Sequence, residues 1–437
     1  MSLPASPTNL PPTWKDWNHS SIRINQPVED IRSAVRPTFF IGATLFCCLF
    51  LQRFGIPFGE QTMNIVGPLG LLLAIAGAIS GSLGFNVTRL RIYLMLLFCV
   101  VLGEMYSFVG LVFLNSVISI PSLIQFLAVS FFVVFEFSEP MDERVFFRIV
   151  MKFFLAIAIC GIVQFFVQFI GISIFKFSDF LPASILAERN WNLQIAFGIG
   201  DLYKSNGFFL IEPSTTSQFM AVAIIIETLF FRRSLYIAFL ALAFVLAFSG
   251  TGGIVFISFL CAAVVRLGGR GVAIVFLLLV VAAAVGTAVI LIAPDMAEMA
   301  QGRLNEFSTP STSGHLRFIT PFWVINDVMD ERPVTALLGM GAGISEHMTL
   351  PYDYNVNTPV KIILEYGFPA LVLYVLLFSY GTRTPTQSVL VFPLLVLLFF
   401  TGAYLQFPPV VFMVSFLIGV ARLRPSEEPV ARLPAYR

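Results

Sequence analysis

Charge is scarce in this chain. Of its 437 residues only 12% are Asp, Glu, Lys or Arg, against roughly 25% in a soluble globular protein, and that excludes an ordinary soluble enzyme. The net charge of +1 supplies no field for nucleic acid, so none is expected as a partner. Histidine is rare, at three residues, and so is cysteine, at five. Cys47, Cys48, Cys99, Cys160 and Cys261 all fall in apolar segments without a CxxC spacing, which argues against a disulfide framework or a zinc site. Residues Met1 to Arg36 lack the basic-then-apolar order of a cleaved signal peptide. They read as a cytoplasmic tail with a surface helix around Glu29 to Arg36.

What the chain has instead is apolar surface. Hydrophobic residues make up 57%, phenylalanine alone contributes 48, and the mean hydropathy is +0.88. Several apolar stretches are about 20 residues long, enough to cross a bilayer. The expected fold is an all-α polytopic membrane protein of about twelve spans. They run from Pro37 to Phe54, Met63 to Gly84, Ile92 to Leu114, Val117 to Phe137, Ile149 to Gly171 and Pro213 to Phe231. Six more follow: Leu235 to Ser249, Gly252 to Arg266, Val272 to Ala293, Thr358 to Tyr380, Ser388 to Tyr404 and Pro408 to Ala421. The domains are then a 1–36 tail, a 37–421 membrane domain with outer loops over 172–212 and 294–357, and a 422–437 tail.

Cytoplasmic loops should carry the excess of Lys and Arg. With both termini inside, residues such as Arg32, Arg36, Arg89, Arg91, Arg144, Arg148, Lys152, Arg232, Arg233, Arg266, Arg270, Arg383, Arg422 and Arg424 fall on the inner side. Only Arg53, Lys176, Arg189, Lys204, Arg303, Arg317, Arg332 and Lys361 fall outside. The termini are therefore assigned to the cytoplasm. The two long outer segments mark the face where chemistry is expected.

The arms flanking Ser249-Gly250-Thr251-Gly252-Gly253 have roughly 15 residues each, near 22 Å at 1.5 Å per residue, short of a ~30 Å hydrocarbon core. That hairpin tip is either a break lining a watery cavity or a tight glycine turn between close-packed helices. In the first loop, Lys204 precedes Glu212-Pro213-Ser214, where Pro213 suits a first helical position and Glu212 the positive end of the helix dipole. In the second, Arg303 and the Ser313-Gly314-His315-Leu316-Arg317 run offer always-charged, bidentate donors for a diphosphate. The alternative pairs each Arg with a loop acid: Glu298, Glu306, Asp327 or Asp330. Gly339-Met340-Gly341-Ala342-Gly343 lacks the strand and acidic residue of a nucleotide fold and reads as a turn presenting N–H groups to a cavity. His315 and His347 have no metal-ligand spacing, so no metal is assigned. Asn357, Lys361 and Glu365 share a helix face, either as a site stripe or as a Lys361–Glu365 pair that neutralises itself. Glu104 and Glu227 are expected to be hydrogen-bonded structural acids.

In the order of these motifs, from about Tyr203 to Phe378, the chain resembles the bacterial O-antigen polymerase and ligase superfamily, exopolysaccharide polymerases included. The resemblance implies a GT-C-type, metal-independent, inverting glycosyltransferase of the bacterial inner membrane, without a cofactor. It would polymerise undecaprenyl-diphosphate-linked oligosaccharide repeats into a surface polysaccharide (exopolysaccharide, capsule or O-antigen) on the periplasmic side. Donor and acceptor would both be undecaprenyl-diphosphate-linked oligosaccharides held in membrane lipid, with a chain-length regulator and a lipid-linked glycan flippase as partners. Arg317 fits the arginine expected at the diphosphate and Arg303 is a second candidate. Lys204 stands where arginine is more common in the family, and Asn357 matches the asparagine of the ligase-type His-Asn motif. Val356 replaces that histidine and Ala370 a glycine, which counts against a ligase and leaves the catalytic base open among Glu212, His347 and Asp353. Ligase-type transfer of finished glycan and secondary transport are the alternatives.

Overall fold

The computed structural model describes residues 26–58, 61–111, 119–172, 177, 181–187, 202–269, 271–273, 275, 276, 280, 287, 305, 308–381, 383–402 and 404–426. The N-terminal tail before residue 26, Arg303 and most of the 272–293 stretch lie outside them. The chain is mostly helical with little sheet. Numbered along the described residues, the longer helices are α1 (Gln26–Phe50), α2 (Val66–Ile79), α3 (Val87–Leu111), α4 (Ile120–Phe132), α5 (Glu143–Phe166), α6 (Pro213–Ile226), α7 (Ser234–Leu246) and α8 (Thr251–Leu267). Three short helices follow in the second loop, α9 (Ser313–Phe318), α10 (Thr320–Glu331) and α11 (Thr335–Leu338), and then α12 (Thr358–Ser379), α13 (Pro385–Phe400) and α14 (Pro408–Ser415).

A helix occupies every expected apolar stretch, and the described residues of 272–293 are helical as well. Four runs are long and apolar enough to cross a membrane: Val87–Val109, Glu143–Ile170, Pro213–Phe231 and Thr358–Ser379. The remaining apolar helices have 10–17 residues. Their outward faces stay apolar, with Phe39, Leu72, Ile79, Phe98, Met105, Phe108, Leu235 and Val265 exposed. In water such a surface would be a liability, and it marks the protein as membrane-embedded. The α6 run is the central element, with 83% of its apolar window inside the protein. It packs against α5, α7, α8 and α13.

Pairing of polar groups distinguishes the two ends of the bundle. At one end, Arg89 is buried and donates to the carbonyls of Tyr380 and Gly419, while Arg383 donates to those of Phe378, Ser379 and Ile418. Both cations thus satisfy carbonyls that helix ends leave open. Beside them, Leu83–Phe85 pairs antiparallel with Phe135–Phe137, and Met141–Asp142 pairs parallel with Leu423–Arg424. Glu227 accepts two hydrogen bonds from the Arg233 guanidinium, at 2.8 and 2.7 Å, the structural role expected of it. At the opposite end a hairpin, Gly55–Phe58 with Gln61–Asn64, meets the segment leading into α6. There Arg53 Nε donates to the Leu210 carbonyl at 3.1 Å and Gln52 Oε1 accepts from Ile211 N–H.

Gly252 has no room for a side chain. A Cβ there would lie 2.4 Å from the Ser217 carbonyl oxygen and 2.7 Å from the Phe244 ring. The Ser249–Gly253 tip is therefore a close-packing turn at this residue, joined to α6 by the Gly252 N–H on Ser217 Oγ. The glycine run at 339–343 has a similar explanation. Gly367 leaves helical geometry (φ 83) inside α12, and Pro369 brings no N–H to the carbonyl of Glu365. Met340 N–H and Gly341 N–H take over at the Leu364 and Glu365 carbonyls, at 2.7 and 3.1 Å, and Ala342 N–H donates to Glu104 at 2.8 Å. These N–H groups repair a broken helix and fix a structural acid instead of facing a cavity, which corrects the expectation from sequence.

Candidate functional site

The start of α6 is set by local chemistry. Gln164 on α5 accepts from the N–H groups of Asn206 and Phe208, at 3.0 and 3.2 Å, and donates to Asn206 Oδ1 at 2.9 Å. That clamp holds a turn in which Gly207 and Phe208 are left-handed, φ 66 and 64. A Cβ on Gly207 would come within 2.9 Å of Ile157, so glycine fits this turn both sterically and conformationally. The chain then extends through Glu212 (φ −140) and enters the helix at Pro213, whose fixed φ suits a first position.

This entry is left open. No side chain caps it, and among the described residues the N–H groups of Ser214 and Thr215 find no acceptor, Thr216 N–H being the first to bond, to the Glu212 carbonyl. Ser214 Oγ, Thr215 Oγ1 and Gln218 Nε2 are buried without a hydrogen-bond partner among the described residues. Unmet buried polar groups cost about 1–3 kcal/mol each, so this turn is poised for a ligand with acceptor oxygens.

Arg317 arrives beside this entry from the second loop. It sits on the short α9, where His315 is buried with its ring edge against Trp323 at 5.0 Å. Arg317 Nη2 lies 3.4 Å from Glu212 Oε2, and the two side chains are 17% and 18% exposed. Among the described residues this is the only hydrogen bond or ion pair of the guanidinium. Arg317 therefore pairs with the first-loop acid Glu212, not with Asp327, which accepts from Tyr352, or Asp330, which accepts from Asn326. Glu298 and Glu306 lie outside the described residues. Tyr404, in the turn after α13, lies within electrostatic reach of both Glu212 and Arg317 and donates its hydroxyl to Gln218 Oε1 at 2.7 Å.

The other sequence candidates are not brought to this pair. Lys204 is buried in the segment clamped by Gln164, with Ser205 N–H bonded to the Leu246 carbonyl. His347 is exposed at the end of a single helical turn. Asp353 is exposed and accepts from Ser311 Oγ at 3.1 Å. Asn357 caps α12 by accepting from Val360 N–H at 3.2 Å. Lys361 Nζ sits 2.7 Å from Glu346 and 3.7 Å from Glu365, so the neutralising pair anticipated at this stripe is present and is extended by Glu346. Among the described residues Glu212 and Arg317 make no hydrogen bond or ion pair with any of these. In the same loop, burial and the Asp327 hydrogen bond push the Tyr352 hydroxyl up, while burial and the nearby Glu346 raise Tyr354. No group of three His, Cys, Asp or Glu side chains placed for a metal occurs among the described residues.

Gln218 and Tyr404 were missed in the sequence because neither belongs to a motif. The available signal was Gln218 itself, an amide inside an otherwise apolar run that follows Pro213. Fold and site together define a membrane-embedded helical protein with an open, donor-rich site where a buried helix begins. No family model, curated protein or solved structure matches the chain.

Proposed function

We propose that this protein polymerises undecaprenyl-diphosphate-linked oligosaccharide repeats by metal-independent, inverting glycosyl transfer. In this reading it is a GT-C-type enzyme of about twelve spans in the bacterial inner membrane, with both termini cytoplasmic. Donor and acceptor are lipid-linked oligosaccharides, and a flippase and a chain-length regulator are its partners. One observation carries the reading: the Arg317 guanidinium, mostly buried and held by a single 3.4 Å contact, stands at the open N-terminus of α6. A diphosphate placed there receives a fixed cation and two free N–H groups, the preorganised donors that a departing diphosphate needs.

In the transfer, an acceptor hydroxyl oxygen bonds to the anomeric carbon of the donor sugar. The bond from that carbon to the diphosphate oxygen breaks, and its electron pair leaves with undecaprenyl diphosphate. The hydroxyl proton passes to a carboxylate. Of the three candidates, Glu212 is supported by its contact with Arg317. An incoming diphosphate competes for the guanidinium and releases the Glu212 carboxylate next to the reacting carbon. The test is polymer formation by the purified protein in lipid with undecaprenyl-diphosphate repeat units and EDTA, read as a ladder on a gel. A ladder supports the polymerase. Intact donor with every matched acceptor, from a folded protein, removes it.

A further inference from the structure

The first turns of α6 divide into a satisfied and an unsatisfied face. Ser217 Oγ donates to the Ser214 carbonyl at 2.9 Å and accepts from Gly252 N–H at 3.2 Å, and Thr216 Oγ1 is turned back on the Glu212 carbonyl at 3.5 Å. Ser214 and Gln218 are one turn apart on the other face, with Thr215 beside them. Gln218 is 0% and Thr215 1% exposed, and Ser214 is 7% exposed, yet Ser214 Oγ, Thr215 Oγ1 and Gln218 Nε2 lack partners among the described residues. The Tyr404 hydroxyl occupies Gln218 Oε1, which fixes the carboxamide and turns its NH2 group away from the tyrosine.

We propose that Gln218, held by Tyr404 and flanked by Ser214 and Thr215, forms a sugar-binding subsite that takes the ring carried by the diphosphate. This rests on the reading that Arg317 receives the diphosphate. The set is uncharged: two hydroxyls and a carboxamide, which match ring hydroxyls and ring oxygens and offer nothing specific to a second ionic group. It also lies deeper along α6 than the Glu212–Arg317 pair, so a diphosphate at the entry would direct its sugar along this face. Gln218 binds the sugar; Tyr404 is a positioning residue that acts through the amide.

The test is equilibrium binding to the full-length protein in lipid nanodiscs. The probes are labelled undecaprenyl diphosphate and the same lipid carrying one glucose, galactose or N-acetylglucosamine. The wild type is expected to bind at least one glycosylated lipid about tenfold more tightly than the bare lipid, the scale of one or two well-placed hydrogen bonds. Gln218→Ala should abolish that ratio by weakening the glycosylated lipid, and Tyr404→Phe should reduce the ratio. Arg317→Ala should weaken both lipids together and preserve it. Thr215→Val, nearly isosteric, should also lower the ratio and serves where Gln218→Ala does not fold. No preference for any of the three sugars in the wild type overturns the subsite, as does a wild-type ratio in the folded Gln218 or Thr215 variant. Unchanged bare-lipid affinity in Arg317→Ala overturns the diphosphate reading instead.

Discussion

Exchange of Glu212 for a diphosphate at Arg317 predicts that binding and turnover respond in opposite directions to one substitution. The guanidinium has five N–H donors, and its contact with Glu212 uses one nitrogen at 3.4 Å, a long and weak bond. A bidentate bond to phosphate at about 1.5–3 kcal/mol per hydrogen bond amounts to about 3–6 kcal/mol, or ~10²–10⁴ in affinity. Arg317→Ala should therefore weaken undecaprenyl diphosphate binding by at least ~100-fold, and Arg317→Lys, which keeps the charge and loses the fork, by about 10–100-fold. Arg317→Ala also leaves the largely buried Glu212 carboxylate facing the incoming anion. Adding Glu212→Gln to it should recover part of the loss, a coupling that a double-mutant cycle isolates. Glu212→Gln alone removes the competitor for the guanidinium. It should bind undecaprenyl diphosphate more tightly while forming polymer more slowly. The assays are equilibrium binding of the labelled lipid in nanodiscs and ladder formation on the same samples. Arg317→Ala binding within twofold of wild type, or Glu212→Gln binding more weakly, refutes the exchange.

Two further predictions concern the scaffold. Lys361→Met strips the cation from Glu365, which is 0% exposed, and should destabilise the protein by about 3–5 kcal/mol. Lys361→Met combined with Glu365→Gln should restore most of the thermal stability in detergent, whereas full stability of the single variant would show that the pair contributes nothing. Gly252→Ala places a methyl 2.4 Å from the Ser217 carbonyl and should cost about 1–3 kcal/mol as α8 is pushed from α6. Gly253→Ala meets nothing within 4 Å and should be neutral or stabilising by up to about 1 kcal/mol. Equal melting temperatures for the two alanine variants would contradict the packing.

Local signals were legible in the sequence wherever neighbours in the chain decide the structure. Pro213 fixes where α6 begins, and the run it opens ends at Phe231, as the apolar pattern requires. Helical spacing of Asn357, Lys361 and Glu365 identified the 3.7 Å Lys361–Glu365 contact. It carried no information about Glu346, the closer partner at 2.7 Å, because that acid comes from the loop before the helix. Partner choice at Arg317 was equally hidden. The expected acids were its neighbours in the second loop, and the observed one is Glu212, 105 residues earlier in the chain. The glycine run at 339–343 resembled an anion cradle because its composition suits one. Its actual role was written elsewhere, in the Gly367-Phe368-Pro369 sequence that breaks α12 and frees two carbonyls.

A second buried polar cluster sharpens the case for the α6 site. At the seam of α3 and α12, Glu104 Oε2, Ser107 Oγ, Glu365 Oε2 and Tyr366 OH also lack hydrogen-bond partners among the described residues. There, however, each carboxylate already accepts one bond, from Ala342 N–H or Ser345 Oγ, and the open atoms are of both kinds: carboxylate oxygens that accept and hydroxyls that donate. That seam therefore holds acceptors of its own beside its donors. The α6 entry is composed differently. Its open groups are two backbone N–H groups, an amide NH2, two hydroxyls and most of a guanidinium, and the single acidic acceptor in contact with them is Glu212, at 3.4 Å. A cluster short of acceptors inside a membrane protein needs them from outside. A diphosphate bearing a sugar supplies anionic oxygens for the entry and hydroxyl oxygens for the turn below it.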